Sequence, residues 1–271
     1  MSLAQRGGGG IMSINISRFV ETTLKDRTTV YSPLIEAIVN SIESILEANR
    51  SDGKIIITPI RNPQTTLEAD ILPDIVGFKV EDNGIGFNKE NRNAFDELCT
   101  DYKIESGGKG LGRFIFLKYY KKVKFSSVYK YNDKYHFRTF NLGSKNDIIE
   151  NEEDREIEAS GTKTILFLEE LRQYDYDKEL NTIARKILER ILVFFINENF
   201  TCPTISLKEN DTEIILNNLL KDNKEIQHIK SEKFSLTGFK TSEQEEHSNH
   251  FSIKIYKITY PGTITSKICL T

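Results

Sequence analysis

No stretch of the 271-residue chain approaches the ~18 consecutive apolar residues of a membrane-spanning helix, so no membrane partner is expected. The three cysteines, Cys99, Cys202 and Cys269, are too few and too scattered for a disulfide framework or a zinc site, and they point to a reducing cytoplasm. The four histidines, His136, His228, His247 and His250, fall in no motif that suggests catalysis or metal binding. A net charge of −3 gives no global electrostatic argument for a nucleic-acid or membrane surface. The opening MSLAQRGGGG lacks an apolar signal core, and its glycines read as a linker or tag remnant. Internal repeats are absent.

What is present is the composition of a polar globular protein, 38% hydrophobic and 28% charged, long enough for one large domain or two smaller ones. Residues 1–12 are set aside as a tag or disordered N-terminus, and 13–25 are read as a short helix. Ser32-Pro33 is a helix start, and Leu34, Ile35, Ile38, Val39, Ile42, Ile45 and Leu46 recur at helical spacing to about Asn49. Strands are expected over 54–60 and 75–80, a long charged loop over 88–106, and a helical run over 115–120. Strands follow at 123–128, 135–142 and 162–168, with an acidic loop at 150–158, and a second helix spans 177–197. Cys202-Pro203 punctuates the chain, and a domain boundary is expected near residue 203. Beyond it lie short alternating runs, 204–216 and 250–259, with a polar loop at 239–249. The last residues, Lys267 to Thr271, form an apolar segment that reads as a domain cut short.

Three local patterns carry chemistry. On helix 32–49, Glu36, Asn40, Glu43 and Glu47 share a face. An acidic helix face is by itself most often solvated surface. Asn40, however, is mildly unfavourable in mid-helix, and a neutral oxygen ligand for Mg²⁺ would be a reason for it. Glu36, one turn away, could then align and deprotonate a water for attack on a phosphate. The second pattern is Gly107-Gly108-Lys109-Gly110-Leu111-Gly112-Arg113, which leads into a helix. Its backbone N–H groups and positive helix end suit anionic oxygen, although a glycine-rich hinge would look the same. It is neither a Walker A loop nor a G-x-G-x-x-G fingerprint. The third joins Asp82, at the end of an apolar strand and followed by Asn83-Gly84-Ile85-Gly86, with Ser160-Gly161-Thr162. A carboxylate beside a hydroxyl can recognise an adenine edge, with a bridging water completing the site; each segment taken singly could equally be an ordinary turn.

In this order and spacing the segments resemble the GHKL superfamily of ATPases, the Bergerat fold. Glu36-Ala-Ile-Val-Asn40-Ser41 is similar to its N box, and Asp82-Asn83-Gly84-Ile-Gly86 to its first glycine box. Gly108-Lys109-Gly110-Leu111-Gly112 is similar to its second glycine box, and Gly161-Thr162 to its last motif. The resemblance implies an α+β fold, a two-layer sandwich with helices on one face of a mixed, mainly antiparallel sheet. It implies ATP and Mg²⁺ between the layers, with 88–106 as a lid. It makes Glu36 the general base, Asn40 the Mg²⁺ ligand and Asp82 the adenine reader, with Arg113 directly after the second glycine box. Glu36, and the lack of room before it for a phosphoacceptor hairpin, resemble the hydrolysing branch: heat-shock chaperone, MutL, gyrase and MORC-type proteins. By the same resemblance 13–203 is the ATP-binding domain, 204–271 the start of a β-rich transducer domain, and the full-length protein an ATP-dependent homodimer acting on a client protein. Glu43-Ser44 departs from the branch's usual Asp-Ala, so no role is carried onto Glu43. Two further readings stay open: a nucleotide-gated binding module with little hydrolysis, and a DNA-acting machine. The latter rests on the basic run Lys118, Lys121, Lys122, Lys124, Lys130, Lys134 and Arg138, which is otherwise a solvated surface.

Overall fold

The computed structural model describes residues 28–63, 72–97, 112–143, 148–196, 201–221, 226–235 and 250–258. The expectations for 13–25, Gly108, Lys109, Gly110, Leu111, the 239–249 loop and the final segment lie outside them.

Helix α1 (Ser32–Glu47) starts where expected, with Pro33 in its first turn, where a missing N–H costs no helical hydrogen bond. The Ser32 hydroxyl accepts from the Thr29 amide (2.9 Å). Leu34, Ile38, Ile42 and Ile45 are buried, whereas Leu46, at the rim of the predicted stripe, is 43% exposed. Strands β1 (Lys54–Arg61) and β2 (Ile75–Asp82) follow, then α2 (Lys89–Glu97) and α3 (Gly112–Tyr119). Next come β3 (Tyr120–Tyr131), β4 (Lys134–Leu142), β5 (Ile149–Ile157) and β6 (Lys163–Leu171). Helix α4 (Leu180–Ile196) leads to β7 (Thr204–Glu209), β8 (Thr212–Ile215) and the short α5 (Leu216–Lys221).

The first eight strands form one sheet in the order β5-β4-β3-β6-β2-β1-β7-β8, in which only the β1–β7 pair is parallel. Helix α1 packs on β1, β2, α3 and α4, while α3 packs on β3. Alternation puts one face of the sheet under this layer: Ile55, Ile57, Phe78, Val80, Leu166, Leu168, Val123, Phe125 and Phe140 are buried. Their neighbours Ile56, Thr58, Lys79, Glu81, Ile165 and Phe167 are only half-buried. This is the expected α+β sandwich, a helical layer on a mixed, mainly antiparallel sheet.

Three expectations are corrected. The 88–106 stretch is not all loop, because Asn88 caps a helix: its side-chain oxygen accepts from the Asn91 amide (2.7 Å). The acidic run 150–158 is not a loop but edge strand β5, whose charges find partners across the sheet and on α2. Glu152 meets Arg92 (3.0 Å), Asp154 meets Arg138 (2.5 Å), and Glu156 meets Lys134 (2.9 Å). The boundary expected near 203 lies instead between Leu216 and Asn217. Strand β7 belongs to the first unit because it pairs with β1 from Lys54↔Thr204 to Ile57↔Leu207, and β8 pairs with β7. In the second unit, β9 (Ile226–Ser235) and β10 (His250–Ile258) form an antiparallel hairpin.

Candidate functional site

Cross-strand register draws a polar row over the helix-covered face at one end of the sheet. Asp82 on β2 is opposite Thr164 on β6, Thr164 is opposite Ser127 on β3, and Ser127 is opposite Arg138 on β4. The next row inward, Val80, Leu166, Phe125 and Phe140, is apolar and buried.

Asp82 is 5% exposed, so its carboxylate needs partners within the fold. Ser41 Oγ, on α1, donates to Oδ2 (3.0 Å), and the Gly84 amide donates to Oδ1 (2.9 Å). Burial pushes the carboxyl from 3.8 up to about 6, with hydrogen bonds from Gly84, Ser41 and Ser44 pulling the other way. Asp82 thus remains largely an anion, and an acceptor, at pH 7.

The two glycines after it are needed for packing against the protein itself. A Cβ on Gly84 would lie 2.2 Å from Ser44 Oγ and 2.7 Å from the Ser44 carbonyl carbon. Gly86 has φ +83°, and a Cβ there would lie 2.4 Å from the Val128 carbonyl oxygen. The Ile85 amide donates to the Ser44 carbonyl (3.1 Å), so the loop is pressed onto α1. The Asn83 side chain closes the neighbouring turn, accepting from the Lys54 amide (2.8 Å) and donating to the Asp52 carbonyl (3.0 Å).

Between α1 and the sheet is a cavity of about 250 Å³. Asp82, Ser41 and Thr164 lie at its polar end, Asn40, Glu43, Ser44 and Glu47 line it from α1, and Phe116, Phe125 and Leu166 form an apolar wall. Gly86, Phe87, Asn91 and Phe95 close another side. The aromatic rings pack on one another: Phe87 to Phe95 at 5.4 Å, Phe95 to Phe125 at 5.7 Å and Phe125 to Phe140 at 4.8 Å between centroids. A flat heterocycle with one polar edge suits this lining, its body against the rings and its edge toward Asp82.

The expected residues are distributed unevenly about this cavity. Asn40 and Asp82 line it together. Glu36 is half-buried one turn back and takes a hydrogen bond from Asn40; burial and then the charge of Glu43 push its carboxyl above the usual 4.5. Thr162 donates its hydroxyl to the Gly84 carbonyl (2.5 Å) and, with Asp82, lines a second cavity. The hydroxyl beside Asp82 in the cavity is that of Thr164, which lies 3.2 Å from Ser127 Oγ. Gly112 begins α3, and Arg113 lies in its first turn. Ser41, Ser44, Thr164 and the phenylalanine wall were missed; Thr164 lies within β6, and only the register that sets it opposite Asp82 brings it to the site.

The basic run loses Arg138 to the interior and has several of its lysines paired, while Lys121 and Lys124 are exposed. Arg138 is buried, Lys122 pairs with Glu170 (2.5 Å), Lys130 with Asp133 (2.8 Å) and Lys134 with Glu156 (2.9 Å). Lys118 donates to Thr28 (2.7 Å). Among the described residues no group of three or more His, Cys, Asp or Glu could hold a metal ion, and no helix is long and apolar enough to cross a membrane.

Comparison with curated proteins gives no match. The family model described as histidine kinase-, DNA gyrase B- and HSP90-like ATPase matches residues 25–170, more than half of the chain. That span holds α1, the Asp82 loop, α2, α3 and the β6 strand of Thr164, so the chain belongs to this family, the GHKL type of ATP-binding ATPase module.

Proposed function

We propose that the chain binds ATP with Mg²⁺ in the cavity beside Asp82 and hydrolyses it, using the cycle to switch a dimer between open and closed states. The observation that carries this reading is the arrangement at Asp82: a buried carboxylate, held by Ser41 and Gly84, at the polar end of an aromatic-lined cavity entered from α1. Asp82 would accept from the exocyclic amine of adenine, with Thr164 bridging through water.

The cavity of about 250 Å³ has room for the base but not for a whole nucleotide. In this reading the triphosphate extends along α1 toward Asn40. The glycine-rich segment Gly107–Gly112 would supply backbone donors to it, with Lys109 and Arg113 adding charge. Because no group of three or more His, Cys, Asp or Glu among the described residues could hold a metal by itself, Asn40, a neutral amide, fits Mg²⁺ only as one ligand among phosphate oxygens and waters. That ion would neutralise charge on the phosphates. Glu36 would take the proton of the attacking water, and burial, which raises its pKa, makes it the stronger base for that work.

A second reading, a nucleotide-gated module with little turnover, is favoured by one observation: Glu36 is hydrogen-bonded to Asn40 and is not part of the cavity lining. Residues 217–271 would be the start of the transducer domain that couples nucleotide state to a client. The test is Mg²⁺-dependent ATP hydrolysis by wild type and Glu36→Gln, with ATP binding measured in parallel. Loss of turnover with binding kept supports the assignment of the base. Undiminished turnover in Glu36→Gln refutes it, and a wild type that binds ATP without measurable turnover selects the gated module.

A further inference from the structure

Arg138 was read as one member of a basic surface, yet it is the most heavily hydrogen-bonded buried side chain among the described residues. Its residue exposure is 4%, and its guanidinium works as a fork. Nη1 donates to the Phe87 carbonyl (3.0 Å) and the Asn88 carbonyl (2.9 Å). Nη2 donates to Tyr129 Oη (3.1 Å) and to Asp154 Oδ2 (2.5 Å), and Nε donates to the same carboxylate (3.0 Å). Tyr129 also donates to Asp154 (2.6 Å), and His136 Nδ1 lies 3.4 Å from its other oxygen.

The two carbonyls it holds are the last of the loop that begins at Asp82. The Phe87 amide, in the peptide unit just before, donates to Ser127 Oγ (2.7 Å). Phe87 is therefore clamped at its N–H by β3 and at its C=O by β4, through two side chains in the same cross-strand row as Asp82. The Asn88 carbonyl that Arg138 holds also accepts from Arg92, in the first turn of α2 (3.0 Å), and the Asn88 side chain caps that helix. Helix α2 in turn carries Asn91 and Phe95 into the cavity lining. Arg92 reaches Glu152 on β5 (3.0 Å), which lies 3.3 Å from Arg138 Nε.

We infer that Arg138 is a positioning residue for nucleotide binding. Without touching the ligand, it fixes where α2 begins, and so holds Asn91, Phe95 and Phe87 as the closing wall of the base pocket. This rests on the reading of the cavity as the site of the base. A lysine keeps the charge opposite Asp154 but has no planar fork to reach two carbonyls and a carboxylate together, so Arg138→Lys separates geometry from charge. Edge strand β5 follows from the same logic, since it delivers the carboxylates that aim the fork and tether α2.

The test measures binding of adenosine and of ATP to the full chain carrying Arg138→Lys or Arg138→Met, together with amide hydrogen exchange of the free proteins. Both variants are expected to lose affinity for both ligands by the same factor, about tenfold or more, because the defect is at the base. Exchange should accelerate over 89–97 and remain slow in β2 and β6. Wild-type affinity in Arg138→Lys would overturn the inference by reducing Arg138 to a counter-charge for Asp154. A loss for ATP with adenosine unaffected would also overturn it, moving the residue's influence to the phosphates. If wild type binds neither ligand, the nucleotide reading fails by itself, and unchanged exchange over 89–97 in the variants would separately refute the anchor. Should Arg138→Met not fold, Asp154→Asn, which loosens the guanidinium without removing it, is read in its place, with the same signature expected.

Discussion

Asp82→Asn separates the stability of the empty site from its affinity. Asparagine keeps the shape and the acceptor for the Gly84 amide, and Ser41 can rotate its hydroxyl to meet the new amide. The carboxyl of Asp82 titrates at about 6 in the fold against 3.8 ordinarily. At about 1.4 kcal/mol per pH unit, that displacement corresponds to about 3 kcal/mol. The sign follows from proton uptake. Between those two values the folded state holds the proton more tightly than the unfolded chain. The Asp82 contribution therefore favours folding at low pH and is lost as pH rises from about 4 to about 6. Asp82→Asn does not titrate. The expected result, by denaturant unfolding at half-unit steps from pH 4 to 8, is a variant close to wild type at pH 4 and about 2–3 kcal/mol more stable above pH 6.5, with adenosine binding lost. A stability difference independent of pH, or a less stable variant at pH 8, would refute the claim that the site holds a buried, energetically costly anion for its ligand.

Ser41→Ala removes one hydrogen bond that lowers the Asp82 pKa, so the carboxyl should titrate higher still; the carboxyl resonance followed by NMR would detect it. Gly86→Ala places a Cβ against the Val128 carbonyl at a backbone angle of +83°, and should cost about 2–4 kcal/mol in denaturant unfolding, with the loop displaced. Phe125→Ala, which opens the aromatic wall, should cost about 3–5 kcal/mol and weaken adenosine binding measured by calorimetry. Tyr31→Phe deletes the bond to Asp177 (2.6 Å) that ties the start of α1 to the segment before α4, and a thermal melt should register about 1 kcal/mol.

Much of the site could be read from the residues because it depends on local rules. A proline after a serine begins α1, a 3.6-residue period orients it, and an apolar run ending in Asp-Asn-Gly places Asp82 at a strand tip. What could not be read depends on pairing between distant segments. That Thr164 also lies beside Asp82 needs the β2–β6 register. The acidic stretch at 150–158 looks like a loop until Arg92, Lys134 and Arg138 are known to face it. The first domain extends past 203 because β7 enters the sheet beside β1, and no local feature of 204–209 announces a partner so far upstream. Arg138 was misread for the same reason, since it was grouped with lysines of β3 and the β3–β4 turn while its neighbours in space are backbone carbonyls.

The parallel pairing of β1 with β7 also bears on how the protein is made. Strand β1 is among the first described segments to leave the ribosome, and β2 can cover only one of its two edges. Its other edge waits for Thr204–Leu207, which emerges after β2 to β6 and after α4. Until then the nascent chain carries an open, isoleucine-rich strand, Ile55 to Ile57, that could pair with another copy of itself. Pro59 lacks an N–H and shortens the edge that can be templated. A polypeptide that stops at residue 203 would keep the nucleotide cavity intact on paper and yet never lose that edge. Soluble yield should therefore rise sharply once residues 204–215 are included.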